Sequence, residues 1–522
     1  MSALSASLNF TPSSLKSKSL GSRSFKVTVS PQNGTSFQGL SKCSFQLPSM
    51  SRTYFDLQTA YIRGKIKMIN ATDTSVDYLD TNIYSIIDRM EVSVANQVID
   101  NIPNYNVLLS AMRSMSNSVL NSNIIAYDLL LNGGDPANPN LSQPIGCTGD
   151  GIRDFAMPLP SIGVLGVDKY LPADVVENLS ITLHLADFRD AILQGNTTAS
   201  TNYELTEMEL IIPRAVELTP ESEALLSSSV GSAGYVFDYE AVESTTFSKT
   251  TTTLQINQTL PTRVSALSRM LVTLRDSTNL QNAGQLSVSN RSHHNLNEAS
   301  VFIAGQQYPN IPLKFSTANP CQVLTELLAF EGGFGDNQLS SNLNLPLSVD
   351  YASIDLLQND DNVATVLTAV QKAICGVASA GNGNKKLATV GSSAANQDFT
   401  HLRPAKTGHV HNTNTNTAFN RVTNFGIENG RQPTTTVDYS KATGLTRAIA
   451  QNNVGTFCLG FDLNTFRNDN LYNNISTIGS NVSLQLKFSG TASANSTINV
   501  FSFYHQIVVL DPITRQYRIE SM

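Results

Sequence analysis

The chain has 522 residues, more than one ordinary core accommodates, so two or three domains are expected. Charged residues are only 14%, Trp is absent and aromatics are 7%. That balance argues against long solvent-bathed helices and against an aromatic platform for sugars or bases. Net charge is −7, but it is uneven: residues 1–55 hold Lys16, Lys18, Arg23, Lys26, Lys42 and Arg52 and no Asp or Glu.

That Ser-rich, acid-free leader reads as a basic N-terminal arm over 1–50, or as an organellar transit peptide. Its N-terminus lacks the apolar stretch of a secretory signal, and the sequence has no run of 18 apolar residues. Strands are predicted next, in "YFDLQTAYIRGKIKMI" (54–69) and "MEVSVANQVI" (90–99). "NYNVLLSAMRSMSNSVL" (104–120) then places Val107, Leu108, Ala111, Met112, Met115 and Val119 at helical spacing. "FAMPL" (155–159), "NLSITLHL" (178–185) and "YELTEMELIIPRAVEL" (203–218) complete a first β-domain over 51–217. A linker follows over 218–240. Within it, Thr219 suits an N-cap, Pro220 the first turn, and Glu221 and Glu223 the positive end of a short helix.

The remainder repeats this order. "TTTTLQINQTL", "RMLVTLRD" and "ASVFIAGQQY" are strand candidates. The stretch "SVFIAGQQYPNIP" (300–312) matches "EVSVANQVIDNIP" (91–103): Val301 with Val92, Ile303 with Val94, Ala304 with Ala95, and Asn310-Ile311-Pro312 with Asn101-Ile102-Pro103. A helix follows in each copy. In the second it begins at Asn319 and Pro320 and stops at the glycines 332 and 333. "FCLGF" (457–461) and "NVSLQLKF" (481–488) match the later strands, and "STINVFSFYHQIVVL" (496–510) the last. The offset between copies grows from 209 (301 minus 92) to 302 (457 minus 155). A loop insertion of about 335–455 therefore sits inside a second β-domain over 241–522, with a helix embedded behind Asp360 and Asp361. Many short strands joined by Asn, Gly and Pro turns indicate sandwiches or jelly rolls.

No catalytic, cofactor-binding or metal site is expected. The five cysteines are odd in number and lack CxxC spacing, which suits reduced thiols. His409 and His411 have metal-like spacing, but they lie in an Asn/Thr-rich loop without companion ligands. His293 and His294 are adjacent and would point to opposite sides. His184 and His505 fall in strands, where packing is the plainer role. "GNGNKK" and "EGGFGD" lack the context of phosphate-binding loops. Polar uncharged sheets suit broad interfaces with other folded copies.

The duplication, its order and its length resemble the double jelly-roll major capsid proteins of icosahedral DNA viruses, within them the polinton-like virus and virophage branch related to the nucleocytoplasmic large DNA viruses. The residues that carry the resemblance are "FIAGQQYPNIPLKF" with its helix, "DFAMPLP…KYLPADVVENLSITLHL" and "NVSLQLKF…FSFYHQIVVLD". It implies a mainly β fold of two tandem eight-stranded jelly rolls with short inserted helices. It also implies homotrimers that form pseudo-hexagonal capsomers, penton and other minor capsid proteins as partners, and a place in the virion shell. The insertion would then face outward and the arm inward. Lys16, Lys18, Arg23 and Lys26 would be arm contacts to an internal membrane, genomic DNA or a minor capsid protein. Two other readings remain open, a non-capsid β-sandwich binder (virion spike, adhesin or lectin) and an organelle-targeted enzyme.

Overall fold

The computed structural model describes residues 22–69, 78–115, 152–330 and 457–520, apart from short internal stretches. The first roll comprises β1 (Ser22–Val29), β2 (Ser36–Gln38), β3 (Lys42–Gln46), β4 (Thr53–Phe55), β5 (Tyr61–Ile69), β6 (Tyr78–Leu79), β7 (Ile87–Val94) and β8 (Gln97–Pro103). Helix α1 (Tyr105–Met115) follows, then β9 (Arg153–Pro158), β10 (Leu171–Pro172), β11 (Ser180–Leu185), β12 (Ile192–Leu193) and β13 (Asn202–Leu218). Helix α2 (Pro220–Val230) leads to the second roll: β14 (Tyr235–Lys249), β15 (Gln255–Leu260), β16 (Leu267–Asp276), β17 (Leu296–Ile303), β18 (Gln306–Lys314), helix α3 (Cys321–Phe330), β19 (Cys458–Asp462), β20 (Val482–Phe488), β21 (Ser496–Leu510) and β22 (Tyr517–Glu520).

The pairing order gives the architecture. In the second roll one sheet runs β14-β21-β16-β19 and the other β15-β20-β17-β18. Numbered by their order within the roll, these are strands 1-8-3-6 and 2-7-4-5. The first roll repeats this, with β1 and β2 sharing the first place beside β13, then β5 and β9; the facing sheet runs β3-β11-β7-β8. This is the jelly-roll wrapping, present twice in tandem. The chain is therefore a mainly β double jelly roll.

Period-two alternation places the first core. On β5, Ile62, Ile66 and Met68 point inward, and Arg63, Lys65 and Lys67 point out. The outward row meets Glu209, Glu207 and Glu204 of β13, at 2.7 Å for Arg63–Glu209, Lys65–Glu207 and Lys67–Glu204. The second roll differs. β16, β19 and most of β21 are buried on both faces. Helix α3 lies over β19 so closely that Gly460 faces Phe330 and Leu327, with no room for a side chain. Arg269 is held 4.7 Å from the Phe330 and Phe503 rings and bonds Glu240 through both carboxylate oxygens.

Two boundaries differ from the sequence expectation. Residues 22–46, placed in a basic arm, form three strands of the first roll. On β1, Phe25, Val27 and Val29 alternate with exposed Ser24, Lys26 and Thr28. Lys26 lies on the solvent face of this amphipathic strand and Arg23 is exposed at its start, over the Phe25 ring, so composition alone hid the period. Likewise β14 begins at Tyr235, inside the stretch 218–240 assigned to the linker.

Candidate interaction surfaces

The rolls are joined along a seam built from both. At one end Asn104, at the corner between β8 and α1, donates to Ser244 (3.4 Å) and Thr246 (3.2 Å) of β14. Beside it the Tyr239 hydroxyl donates to the Ile99 carbonyl (3.5 Å) and Lys169 donates to the Val236 carbonyl (2.8 Å). At the other end Asp80, 1% exposed, accepts the backbone N–H groups of Ser287 (2.8 Å) and Val288 (2.7 Å). Asp190 accepts from the Gln281 N–H (2.7 Å) and the Ser287 hydroxyl (2.8 Å). Arg275 reaches the Ser287 carbonyl and Asn499, both at 3.2 Å, and Arg291 donates to the Ser110 hydroxyl (2.9 Å).

The seam is electrostatically complementary. Carboxylates come from the first roll and guanidinium groups from the second. Burial pushes the Arg275 guanidinium down to about 10, against the pull of Asp190 and Asp80. Helix α2 ties the two ends of the linker. Thr219 caps it, Glu223 accepts from the Tyr54 hydroxyl at 3.0 Å, and Tyr54 lies 3.3 Å from the Tyr235 hydroxyl.

Asp100 sits at the edge of this seam. It is buried, and it accepts from the Val164 N–H at 3.0 Å. Gly163 makes that approach possible: its φ is +67°, and a Cβ there would fall 1.7 Å from the Asp100 Oδ2. Burial pushes the Asp100 carboxyl up to about 6, opposed by its backbone hydrogen bonds.

The outer face of the first roll's second sheet is a polar ladder. Ser44 meets Thr182 (2.9 Å) and Ser93 meets Ser180 (2.7 Å). His184 stands 3.0 Å from Arg89 and 3.4 Å from Glu91. Burial, then Arg89 and Lys42, hold its imidazole below the usual range, and Glu91 opposes them. At the matching place in the second roll Lys487 pairs with Glu298 at 2.8 Å.

One open groove lies on the first roll, about 1210 Å³ in volume, where β1 and β2 part around residues 30–35. Its floor includes Phe155, Ala156 and Met208, and its rim carries the Arg63–Glu209 and Lys65–Glu207 pairs. The second roll carries a protrusion instead. Between Ala299↔Leu313 and Val301↔Tyr308 the β17–β18 register shifts, and the intervening residues 309–312 bulge out. Ile311 there is 70% exposed, while its repeat counterpart Ile102 is fully buried.

Of the residues expected as arm contacts, Arg23 and Lys26 are exposed on β1, paired to β13, and belong to the sheet. Lys16 and Lys18 lie outside the described residues, as do His293, His409, His411, the 335–455 insertion and its helix at Asp360 and Asp361. His294 is buried, and His505 lies 3.6 Å from Asp238. Among the described residues no group of three or more His, Cys, Asp and Glu could hold a metal ion. Sequence reasoning missed the seam. Its acids and arginines are scattered singly along the chain and converge only through strand pairing.

No protein-family profile matches the sequence, and no curated protein matches it. Solved structures are similar in fold. The PBCV-1 virus capsid matches with a TM-score of 0.49 at 10% identity, over 96% of this chain and 97% of that one. The Faustovirus major capsid protein matches at 0.47 and 6%, over 94% and 91%. The mavirus major capsid protein matches at 0.45 and 9%, over 95% and 90%.

Proposed function

We propose that this chain is a major capsid protein, a structural subunit of an icosahedral DNA virus shell. One observation carries the reading: two rolls of the same strand order stand in tandem, fastened along a buried, charge-complementary seam. A subunit so built is a rigid pair of like barrels. Three such pairs arranged in a ring approximate a hexagon, the shape from which a shell can be tiled. On this reading three copies close into a capsomer, and neighbouring capsomers meet one another and the penton and other minor capsid proteins. The insertion at 335–455 faces outward. The first 21 residues, with Lys16 and Lys18, face inward toward genomic DNA or an internal membrane, with an attraction that weakens as salt rises.

The test is the mass of the purified chain in solution, by light scattering at low and high salt. The chain is 56.4 kDa, so a closed trimer weighs roughly 170 kDa. A salt-resistant species of that mass is the expected result. A monomer at every concentration and salt overturns the reading.

A further inference from the structure

Within the chain, the seam joins unlike surfaces. The β8–α1 corner of the first roll lies on the β14 edge of the second, through Asn104 on Ser244 and Thr246. Such a contact is heterologous, so each roll keeps one surface of each kind. The repeat supplies a second corner, on β18, and a second edge strand, β1 with β2.

Register shows where the second corner belongs. The match of "FAMPL" with "FCLGF" sets Met157 against Leu459, and the ladders carry it inward: Met157 opposes Ile62, which opposes Leu210, and Leu459 opposes Val272, which opposes Val500. Leu210 therefore corresponds to Val500, an offset of 290 (500 minus 210). Ser244, Thr245 and Thr246 pair with Phe501, Val500 and Asn499, so their counterparts in the first roll lie opposite 209–211, at the end of β1. The groove opens immediately beyond. β1 leaves β13 at Val29↔Leu210 and β2 rejoins at Ser36↔Thr206, so residues 30–35 swing away from 207–209. Where β14 continues past the Asn104 contact to Lys249, the first roll opens into a cavity with an apolar floor.

The second corner differs in the complementary sense. Residues 309–312 bulge from β18 and put Ile311 into solvent. An apolar protrusion and a groove with an apolar floor and a charged rim form a match of the kind that buries a central anchor inside a polar ring.

We propose that the β18 corner of one copy, led by Ile311, seats in the residue 30–35 groove of a second copy, repeating between chains the contact that β8–α1 makes with β14 within one. The inference rests on the self-assembly reading and adds to it the two surfaces that meet. A head-to-tail contact of this kind propagates from copy to copy until the ring closes.

The test uses full-length chains in solution. Ile311→Glu and Thr35→Trp are each expected to weaken self-association at least tenfold by sedimentation, with melting temperature unchanged because both positions are exposed. In parallel, Ile311→Cys chains are mixed with Thr35→Cys chains under mild oxidation. The expected product is a cross-linked pair absent from either variant alone and from wild type. Wild-type assembly by both Ile311→Glu and Thr35→Trp, with no cross-link in the mixture, overturns the proposed contact and leaves self-assembly standing on another surface. A wild-type chain that stays monomeric overturns both.

Discussion

Ala95 and Ala304 hold the same left-handed backbone, at φ 48° and 51°, in the two-residue turns of the β7–β8 and β17–β18 hairpins. A non-glycine residue there costs about 1 to 2 kcal/mol, and both copies carry it. The turn needs it, because a two-residue hairpin matches the strand twist only with positive φ. Seven residues on in each copy, the likeness ends. Ile102 opposes Met90 in the core, and Ile311 stands in a bulge. The repeat preserves the hairpin turn and has diverged at the strand that follows.

The strands β1 to β3 separate two truncations. Removing residues 1–21 is expected to leave the fold intact, with an unchanged melting temperature. Removing residues 1–45 deletes partners of β13 and β11 and the buried side chains Val27, Val29, Phe37, Cys43 and Phe45. Each lost core side chain costs about 2 to 5 kcal/mol, so this variant should fail to give soluble folded protein. Expression of both, followed by circular dichroism, checks it.

Asp100 makes stability depend on pH. Its carboxyl rises to about 6 in the fold from the 3.8 of a free aspartate, so between those values the folded state binds more protons than the unfolded state. The cost of ionising it is absent below the unfolded value and grows as pH rises through the folded one. Asp100→Asn keeps one oxygen to accept the Val164 N–H. It should stabilise the chain relative to wild type at pH 7.5, by at most about 3 kcal/mol, and leave little difference at pH 4. Urea midpoints at the two pH values decide it; an equal difference at both would refute the assignment.

Asp80 holds the seam. Asp80→Ala strips two backbone N–H groups of their acceptor and removes a carboxylate that balances Arg275. Breaking a buried charged network from one side costs about 3 to 5 kcal/mol. Denaturant unfolding followed by two probes, one in each roll, should show the loss as a lower midpoint with the rolls no longer unfolding together.

Gly460 sets the seating of α3. A Cβ there would lie 2.7 Å from the Phe330 Cβ and 3.0 Å from Leu327. Gly460→Ala should push the helix away from β19 and cost about 1 to 3 kcal/mol. A calorimetric melt measures it, and an unchanged melting temperature would mean the helix sits further out.

Much of this was legible from residue order. Alternation in "NLSITLHL" and "NVSLQLKF" marks β11 and β20, because a strand with one wet face must repeat every second residue. The repeat announced two rolls of one kind. Helical spacing marked α1, whose Val107, Leu108 and Ala111 are buried. Where both faces are covered, as on β16 and β21, burial loses the period: Ser268, Thr273, Asn499 and Ser502 are buried along with the apolar residues, because the outer face meets protein instead of water.

The sequence by itself therefore determined the class of fold and its duplication, since those follow from local periodicity and repetition. Only the tertiary structure decided that β1 is a sheet strand instead of an arm, that Asp80 and Asp190 meet Ser287 beside Arg275 across 207 and 97 residues, and that Ile102 is buried while Ile311 is exposed. Those outcomes depend on register and on which strand lies beside which. Such long-range pairings are chosen by the packing of the whole chain, which no short window of residues contains.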